Sequence, residues 1–167
     1  MGIQLSVPNE ATTNAPSDAG GRYFPGLYEP GGGLFYAPRA NGYTTVLASA
    51  ARTATPTIAT FVNPEYRGAT IVVYASAASA TPSVVVTVKG VDPVSLQTYS
   101  IDATNGITAA ITGTGLSIIK LYPGLTNATP SGGFSTSNAV LPFQWTLTSV
   151  HGDADSLTYS IVALLEK

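Results

Sequence analysis

The sequence predicts an all-β protein, namely an antiparallel β-sandwich or jelly-roll-like barrel of about eight strands that follows an extended, irregular N-terminal arm. Three observations lead to this prediction. Beyond the arm, no stretch shows a sustained helical period with caps. Short apolar or alternating segments recur at intervals of roughly 8–14 residues, and glycine or proline separates them. This spacing is typical of sandwiches and barrels.

Residues 1–42 are predicted to form the arm, because they are rich in proline and glycine and show no strand or helix period. Large apolar side chains nevertheless run through its second half: Tyr23, Phe24, Leu27, Tyr28, Leu34, Phe35 and Tyr36. Linkers are rarely so apolar, and each of these side chains would contribute about 1.5–3 kcal/mol on burial. We expect the arm to dock on a partner subunit or an underlying lattice. Wrapping around the β domain of its own chain is the alternative.

Residues 43–167 are predicted to form the β domain, which begins with short segments. Tyr43 to Arg52 is β-like, Thr53 to Ala59 resumes the strand pattern, and Asn63-Pro64 predicts a turn. Turn residues recur between these segments, so each strand is short.

The strongest core prediction is a hairpin from Ile71 to Val88. Its first strand, Ile71 to Tyr74, is a continuous apolar run, and its second, Val84 to Val88, places alternate valines on one face. Ala75 to Pro82 holds small and polar residues that extend neither apolar face. It is therefore predicted to connect the two strands as a turn.

Two further hairpins are predicted downstream. Gln97 to Ile101 should pair with Ile107 to Thr112, because Asn105-Gly106 is the commonest signal for a type I′ turn. Leu141 to Val150 and Leu157 to Leu165 form the last pair, and alternate residues of the final strand should be buried.

Between these hairpins, Leu116 to Tyr122 is predicted to be a strand that ends at Pro123-Gly124. A polar loop from Leu125 to Ala139 follows. Since β-sandwiches carry binding sites in such loops, this one is a candidate binding loop.

The composition excludes several classes of function. Only 10% of residues are charged, against about 25% in ordinary soluble domains, and the net charge of −2 includes no basic cluster. We therefore expect no nucleic-acid partner, which would need a basic patch. No apolar run is long enough to span a bilayer and the start lacks a signal region, so we expect no membrane partner. The absence of cysteine excludes disulfides and thiolate metal sites.

The low content of charged residues favours a surface covered by other subunits, although a threonine-rich exposed sheet is the alternative.

The densest group of polar residues is the segment from His151 to Ser156. Asp153 and Asp155 have the spacing to offer oxygens to a hard cation such as Ca²⁺, but the full EF-hand pattern is missing. We expect instead a hairpin turn whose aspartates accept local backbone N–H groups. No metal or cofactor is expected.

His151 is the only histidine, so catalysis by a Ser-His-Asp arrangement would have to use it. No serine lies in a G-x-S-x-G elbow, and the nearest aspartates are in the same turn as His151, which is poor geometry for orienting the imidazole. We therefore expect no enzymatic activity. Trp145 is expected to pack in the core and not to form a ligand platform.

Several segments resemble a small virion structural protein of tailed bacteriophages. They are Leu47 to Thr55, Arg67 to Ala69, Ala78 to Ser83, Lys120 to Leu125 and Leu141 to Ser160. The resemblance spans about residues 45–165 and leaves the arm uncovered. The matching segments are structural turns and strands and include no catalytic signature.

The resemblance implies a β-rich protein without catalytic residues, which we interpret as a capsid decoration or cement protein. Such proteins commonly sit as trimers on the capsid exterior and bridge copies of the major capsid protein. A tail or head-fibre adsorption module that binds a host surface receptor or glycan is the alternative. The two hypotheses differ in where they place the aromatic rings. Decoration buries Tyr23 to Tyr36 against the capsid, whereas adsorption exposes aromatic rings near a distal loop.

Overall fold

The computed structural model describes residues 42–167. These residues form ten β-strands and contain no helix. The strands are β1 (Gly42–Arg52), β2 (Phe61–Val62), β3 (Gly68–Ala78), β4 (Val84–Val91), β5 (Thr98–Ser100), β6 (Gly115–Leu121), β7 (Ala128–Ser131), β8 (Phe134–Ser137), β9 (Gln144–His151) and β10 (Leu157–Glu166). The predicted all-β class is confirmed. The predicted arm contacts of Tyr23, Phe24, Leu27, Tyr28, Leu34, Phe35 and Tyr36 lie outside the described residues.

The ten strands form two sheets. The six-stranded sheet has the order β1-β10-β3-β6-β8-β7, and the four-stranded sheet has the order β2-β9-β4-β5. Neighbouring strands are antiparallel except β6 and β8, which are parallel. The inner faces of both sheets contribute to one hydrophobic core, so the domain is a sandwich.

The core contains the side chains that the strand period predicted to be buried. Val84, Val86 and Val88 of β4 are fully buried, and so are alternate residues of β10 from Leu157 to Ala163. Trp145 is also buried and stacks on Phe61 with 4.9 Å between the ring centroids. Its predicted packing role is therefore confirmed.

The predicted hairpin from Ile71 to Val88 is wrong. β3 belongs to the six-stranded sheet and β4 to the four-stranded sheet, so the two strands face each other across the core and do not pair. β3 continues to Ala78, and residues 79–83 cross between the sheets, with Ala80 at a φ of 56°. An apolar strand face is buried equally well when the two strands pair in one sheet and when they face each other across the core. The alternation of apolar residues in the sequence is the same in both arrangements, so it does not distinguish them.

The last predicted hairpin is wrong for the same reason. β9 lies in the four-stranded sheet and β10 in the six-stranded sheet, so residues 152–156 are a second crossing and not a hairpin turn. The two crossings lie side by side, because the N–H of Ser79 donates to Ser156 O and the N–H of Gly152 donates to Ser83 O, both at 2.8 Å.

The predicted pairing through Asn105-Gly106 does not occur. β5 pairs with β4, and residues 107–111 run along the same edge of β4 through bridges of Thr87 with Ile107 and Val84 with Ile111. Asp102 changes the local geometry, since the N–H of Gly106 donates to Asp102 O at 3.1 Å and closes a wider turn. The Asp102 carboxylate accepts backbone N–H groups in this segment, and the type I′ turn predicted at Asn105-Gly106 therefore does not form.

One strand assignment and one loop assignment also differ from the structure. Thr53 to Ala59 forms no strand, and the short β2 follows it. The polar segment from Leu125 to Ala139 is not a plain loop, because it contains β7 and β8. β8 pairs in parallel with β6 and extends the large sheet.

Asp102 connects the edge of the four-stranded sheet to β8. One carboxylate oxygen accepts the N–H groups of Thr104 at 3.0 Å and Asn105 at 2.9 Å. The other accepts the Asn105 amide at 3.0 Å and the Ser137 hydroxyl at 2.8 Å. Desolvation raises the pKa of Asp102, but these hydrogen bonds outweigh it and lower the pKa from 3.8 to about 2.

We expect Asp102→Ala to lower the free energy of unfolding by about 1–2 kcal/mol at pH 7, because buried Ser137 and Asn105 lose their acceptor at a partly solvent-screened site. The pKa is lower in the folded state, so this stabilisation is fully present above pH 4 and is lost as the pH falls towards 2. Urea unfolding at pH 7 and at low pH measures the difference. Asp92→Ala is the control, since Asp92 holds a similar turn but bonds only to exposed neighbours within it; an equal loss in both variants would contradict the prediction.

Candidate interaction surface

The aspartates predicted from the sequence lie in the second crossing. The N–H of Asp155 donates to Asp153 Oδ1 at 3.0 Å, and the N–H of Thr81 in the first crossing donates to Asp155 Oδ2 at 3.2 Å. The aspartates therefore accept backbone N–H groups, one within the crossing and one from the neighbouring crossing. Among residues 42–167, no three His, Asp or Glu side chains come close enough together to hold a metal ion.

His151 belongs to a packed polar cluster around Tyr159. The Tyr159 hydroxyl lies 2.7 Å from Ser149 Oγ and 3.1 Å from His151 Nε2. The Arg52 guanidinium lies 4.8 Å from the centroid of the Tyr159 ring and donates to Tyr159 O at 2.8 Å. These contacts tie β1, β9 and β10 together at one end of the sandwich.

The electrostatics of this cluster favour the neutral forms of His151 and Tyr159 at neutral pH. Burial lowers the pKa of His151, Asp153 opposes this effect and Arg52 adds to it. Burial raises the pKa of Tyr159 against smaller contributions from Ser149 and Arg52. Ser149 is fully buried and its hydroxyl is shared with Tyr159, so the arrangement supports packing of the strands.

The outward face of the six-stranded sheet carries a continuous apolar surface. The strand registers place the side chains in rows across the sheet. One row consists of Phe134, Ile118, Val72, Val162 and Thr45, with Tyr74 and Leu116 paired on one side of it and Tyr43 and Leu164 paired on the other. We name these nine residues the outer apolar face.

Five side chains of the outer apolar face are well exposed. They are Tyr43 at 77%, Leu116 at 57%, Tyr74 at 52%, Phe134 at 46% and Leu164 at 43%. The charged side chains at outward-facing register positions of these strands are Lys120 and Glu166, which lie 3.5 Å apart and neutralise each other. Outward faces of antiparallel sheets are usually polar, and contiguous apolar patches mark interaction sites. The face therefore has the character of an interface.

Sequence reasoning missed this face, although one signal for it was present. Ile71 to Tyr74 is apolar at every position, and a strand with only one covered face should alternate. Val72 and Tyr74 are the members of this run that point outwards. The continuous run thus indicates a strand covered on both faces.

A second exposed apolar group lies at the end of the sandwich where β3 and β9 begin and β4 ends. Its members are Val62, Val94, Leu96, Val140 and Phe143, each at least 57% exposed. We name them the apolar end. The polar cluster around Tyr159 lies at the opposite end, so the two ends differ in chemistry.

Within residues 42–167, no helix is long and apolar enough to cross a membrane. The predicted binding loop from Leu125 to Ala139 contributes Phe134 to the outer apolar face, while its remaining side chains are mainly threonine, serine and asparagine.

Comparison with known proteins gives a structural match. No protein-family model matches the chain, and no curated protein matches it. The crystal structure of the SPBc2 prophage-derived protein YomS matches 74% of this chain and 93% of that chain, with 16% sequence identity and a TM-score of 0.43. The matched protein is phage-related.

Proposed function

We propose that the protein is a non-enzymatic structural component of a phage virion, specifically a head decoration protein that binds and stabilises the assembled capsid lattice as a trimer. The observation that carries this proposal is the outer apolar face. The outer apolar face places eight apolar side chains and Thr45 on the outward side of a sheet, and the two charged side chains of that side are paired with each other. Such a patch does not stabilise a free domain and is typical of an interaction site. The resemblance of residues 45–165 to small virion proteins supplies the class of partner.

The energetics of the face favour binding to a lattice over binding to one subunit. Side chains that are already half-buried gain on the order of 1 kcal/mol each when a partner covers them. Association and side-chain ordering cost several kcal/mol, so one face alone binds weakly. Several faces of a trimer on a repeating lattice add through avidity, and binding to the assembled form alone stabilises that form.

The arm gives the proposal a second contact. Its apolar side chains from Tyr23 to Tyr36 have the composition of a docking segment, and we propose that they bind the major capsid protein or a neighbouring copy. This part of the proposal rests on the sequence.

Binding to isolated heads tests the proposal. We expect the full-length protein to sediment with heads of the parent phage grown without it, to saturate at hundreds of copies per head, and to increase their resistance to heat. A chain lacking residues 1–40 should remain folded and soluble but bind weakly. Absence of binding, or saturation at a handful of copies, would contradict the decoration function.

An adsorption module remains the second candidate, because Phe134 is exposed on the β7–β8 hairpin beside hydroxyl and amide side chains. Aromatic rings beside such groups suit glycan recognition. Saturable binding of the purified protein to host cells, abolished by Phe134→Ala, would favour this candidate over decoration.

A further inference from the structure

We propose that the turn between β4 and β5, residues 92–97, is a preformed apolar knob that inserts Val94 and Leu96 into an uncharged pocket of a neighbouring protein subunit. This inference deepens the proposed function and rests on it for the kind of partner, a protein of the virion. We name the turn the β4–β5 knob.

The conformation of Leu96 is the first observation. Its φ is 58°, in the left-handed region that favours glycine, and its side chain is 69% exposed. A leucine here carries backbone strain without gaining burial in its own domain. Val94, two residues earlier, is 90% exposed. Strain and exposure together indicate that the side chains serve a contact outside the described domain.

The rigidity of the turn is the second observation. Asp92 Oδ1 accepts the N–H of Val94 at 3.0 Å, and Asp92 Oδ2 accepts the Ser95 hydroxyl at 2.6 Å. The backbone closes the turn through the N–H of Leu96 donating to Asp92 O at 2.8 Å and the N–H of Asp92 donating to Gln97 O at 2.9 Å. The turn is therefore held in one shape before it meets a partner, which lowers the entropy cost of binding.

The charge of the turn selects the class of partner. Asp92 is the only charged residue in the segment, and both of its carboxylate oxygens are used within the turn. The knob has no lysine or arginine to meet a phosphate of nucleic acid or of an anionic lipid. Two apolar side chains on an uncharged tip fit an apolar pocket of a protein.

The position of the turn supports a larger contact around the knob. β4 ends beside the start of β9, where Gly90 pairs with Trp145, and β9 is flanked there by β2 through the pairing of Val62 with Gln144. The knob therefore shares the apolar end with exposed Val62 and Phe143. A partner that receives the knob meets further apolar side chains around it.

Ala80 provides a matched control within the same chain. It is the other non-glycine residue with positive φ among residues 42–167, at 56°, and it is also exposed. It lies in the crossing after β3, at the opposite end of the sandwich. Glycine at either position relieves the same kind of backbone strain, but only Leu96→Gly removes a knob side chain.

The test compares full-length wild type, Leu96→Gly, Leu96→Asn and Ala80→Gly. Each is supplied in trans to a phage lacking the gene, and copies per purified virion are counted by quantitative mass spectrometry. We expect melting temperatures no lower than wild type for both glycine variants, because strain is relieved. We expect Leu96→Gly and Leu96→Asn to be incorporated at least tenfold less than wild type, and Ala80→Gly at the wild-type level.

Three results would overturn the inference. They are normal incorporation of both Leu96 variants, an equal loss for Ala80→Gly, and Leu96-dependent binding of the purified protein to anionic phosphatidylglycerol vesicles or to DNA. The count is independent of where the protein sits in the particle. A tail location would therefore refute the decoration function, while the incorporation of the Leu96 variants would still test whether the β4–β5 knob contacts a neighbouring subunit.

Discussion

Lysine at both Leu116 and Phe134 should strongly weaken binding to heads while the free domain stays folded. Both side chains are about half exposed on neighbouring strands of the outer apolar face, so lysine stems can lie along the sheet in the free protein. In the complex, the double variant loses two apolar contacts and forces two ammonium groups into an apolar interface. We expect head binding to weaken by about 100-fold or more, and the free energy of unfolding to change by less than about 1 kcal/mol.

The control for this double variant places the same charge on the other sheet. Val150 of β9 is 50% exposed and Thr98 of β5 is exposed, so Val150→Lys with Thr98→Lys matches the change in net charge. Co-sedimentation with heads measures binding, and urea unfolding measures stability. Equal weakening by both pairs would point to a general charge effect and would contradict a specific role of the outer apolar face.

Gly68→Ala should cause a large loss of stability in the domain. A Cβ at Gly68 would collide with the backbone carbonyl oxygen of Leu121 and lie 2.5 Å from Cδ2 of Tyr122. Gly68 starts β3, which is flanked by β10 and β6, so relieving the collision requires the central strands to move apart. We expect a loss on the order of 3 kcal/mol in urea unfolding and a lower yield of soluble protein.

Gly113→Ala is the matched control for this prediction. No heavy atom lies within 4 Å of a Cβ built at Gly113, and its φ is not in the left-handed region. Alanine there should leave stability unchanged or slightly increased. If Gly68→Ala unfolded at the same urea concentration as Gly113→Ala, the close packing of β3 against β6 would be disproved.

The sequence predicted which side chains are buried better than it predicted which strands are neighbours. The alternating positions of β10 and the valines of β4 are buried because a period of two directly reports one covered face. The same period is compatible with pairing in one sheet or facing across a core, so two of the three predicted hairpins are crossings between the sheets. Long-range topology depends on contacts that no local pattern encodes.

Local turn signals failed where a side chain competed with the backbone. Asn105-Gly106 suggested a two-residue hairpin, but the Asp102 carboxylate accepts donors of Thr104 and Asn105 and widens the turn. An aspartate three residues before such a signal could have been read as a competing acceptor. The positive φ of Leu96 could not have been predicted, because leucine disfavours it.

The candidate surface was only partly visible in the sequence. The low charge content indicated a covered surface, and the run from Ile71 to Tyr74 held the signal for an apolar outward face. The registers of β3, β6, β8 and β10 were needed to bring Phe134, Leu116 and Tyr74 together. These three residues come from distant parts of the chain, because Tyr74 and Phe134 are 60 positions apart in the sequence.

A reconstruction of the native particle tests the decoration function most directly. We predict hundreds of copies on the exterior of the head, with Tyr74, Leu116 and Phe134 of each copy buried against neighbouring subunits. A handful of copies on the tail, or copies on the head whose outer apolar face is open to solvent, would contradict the account.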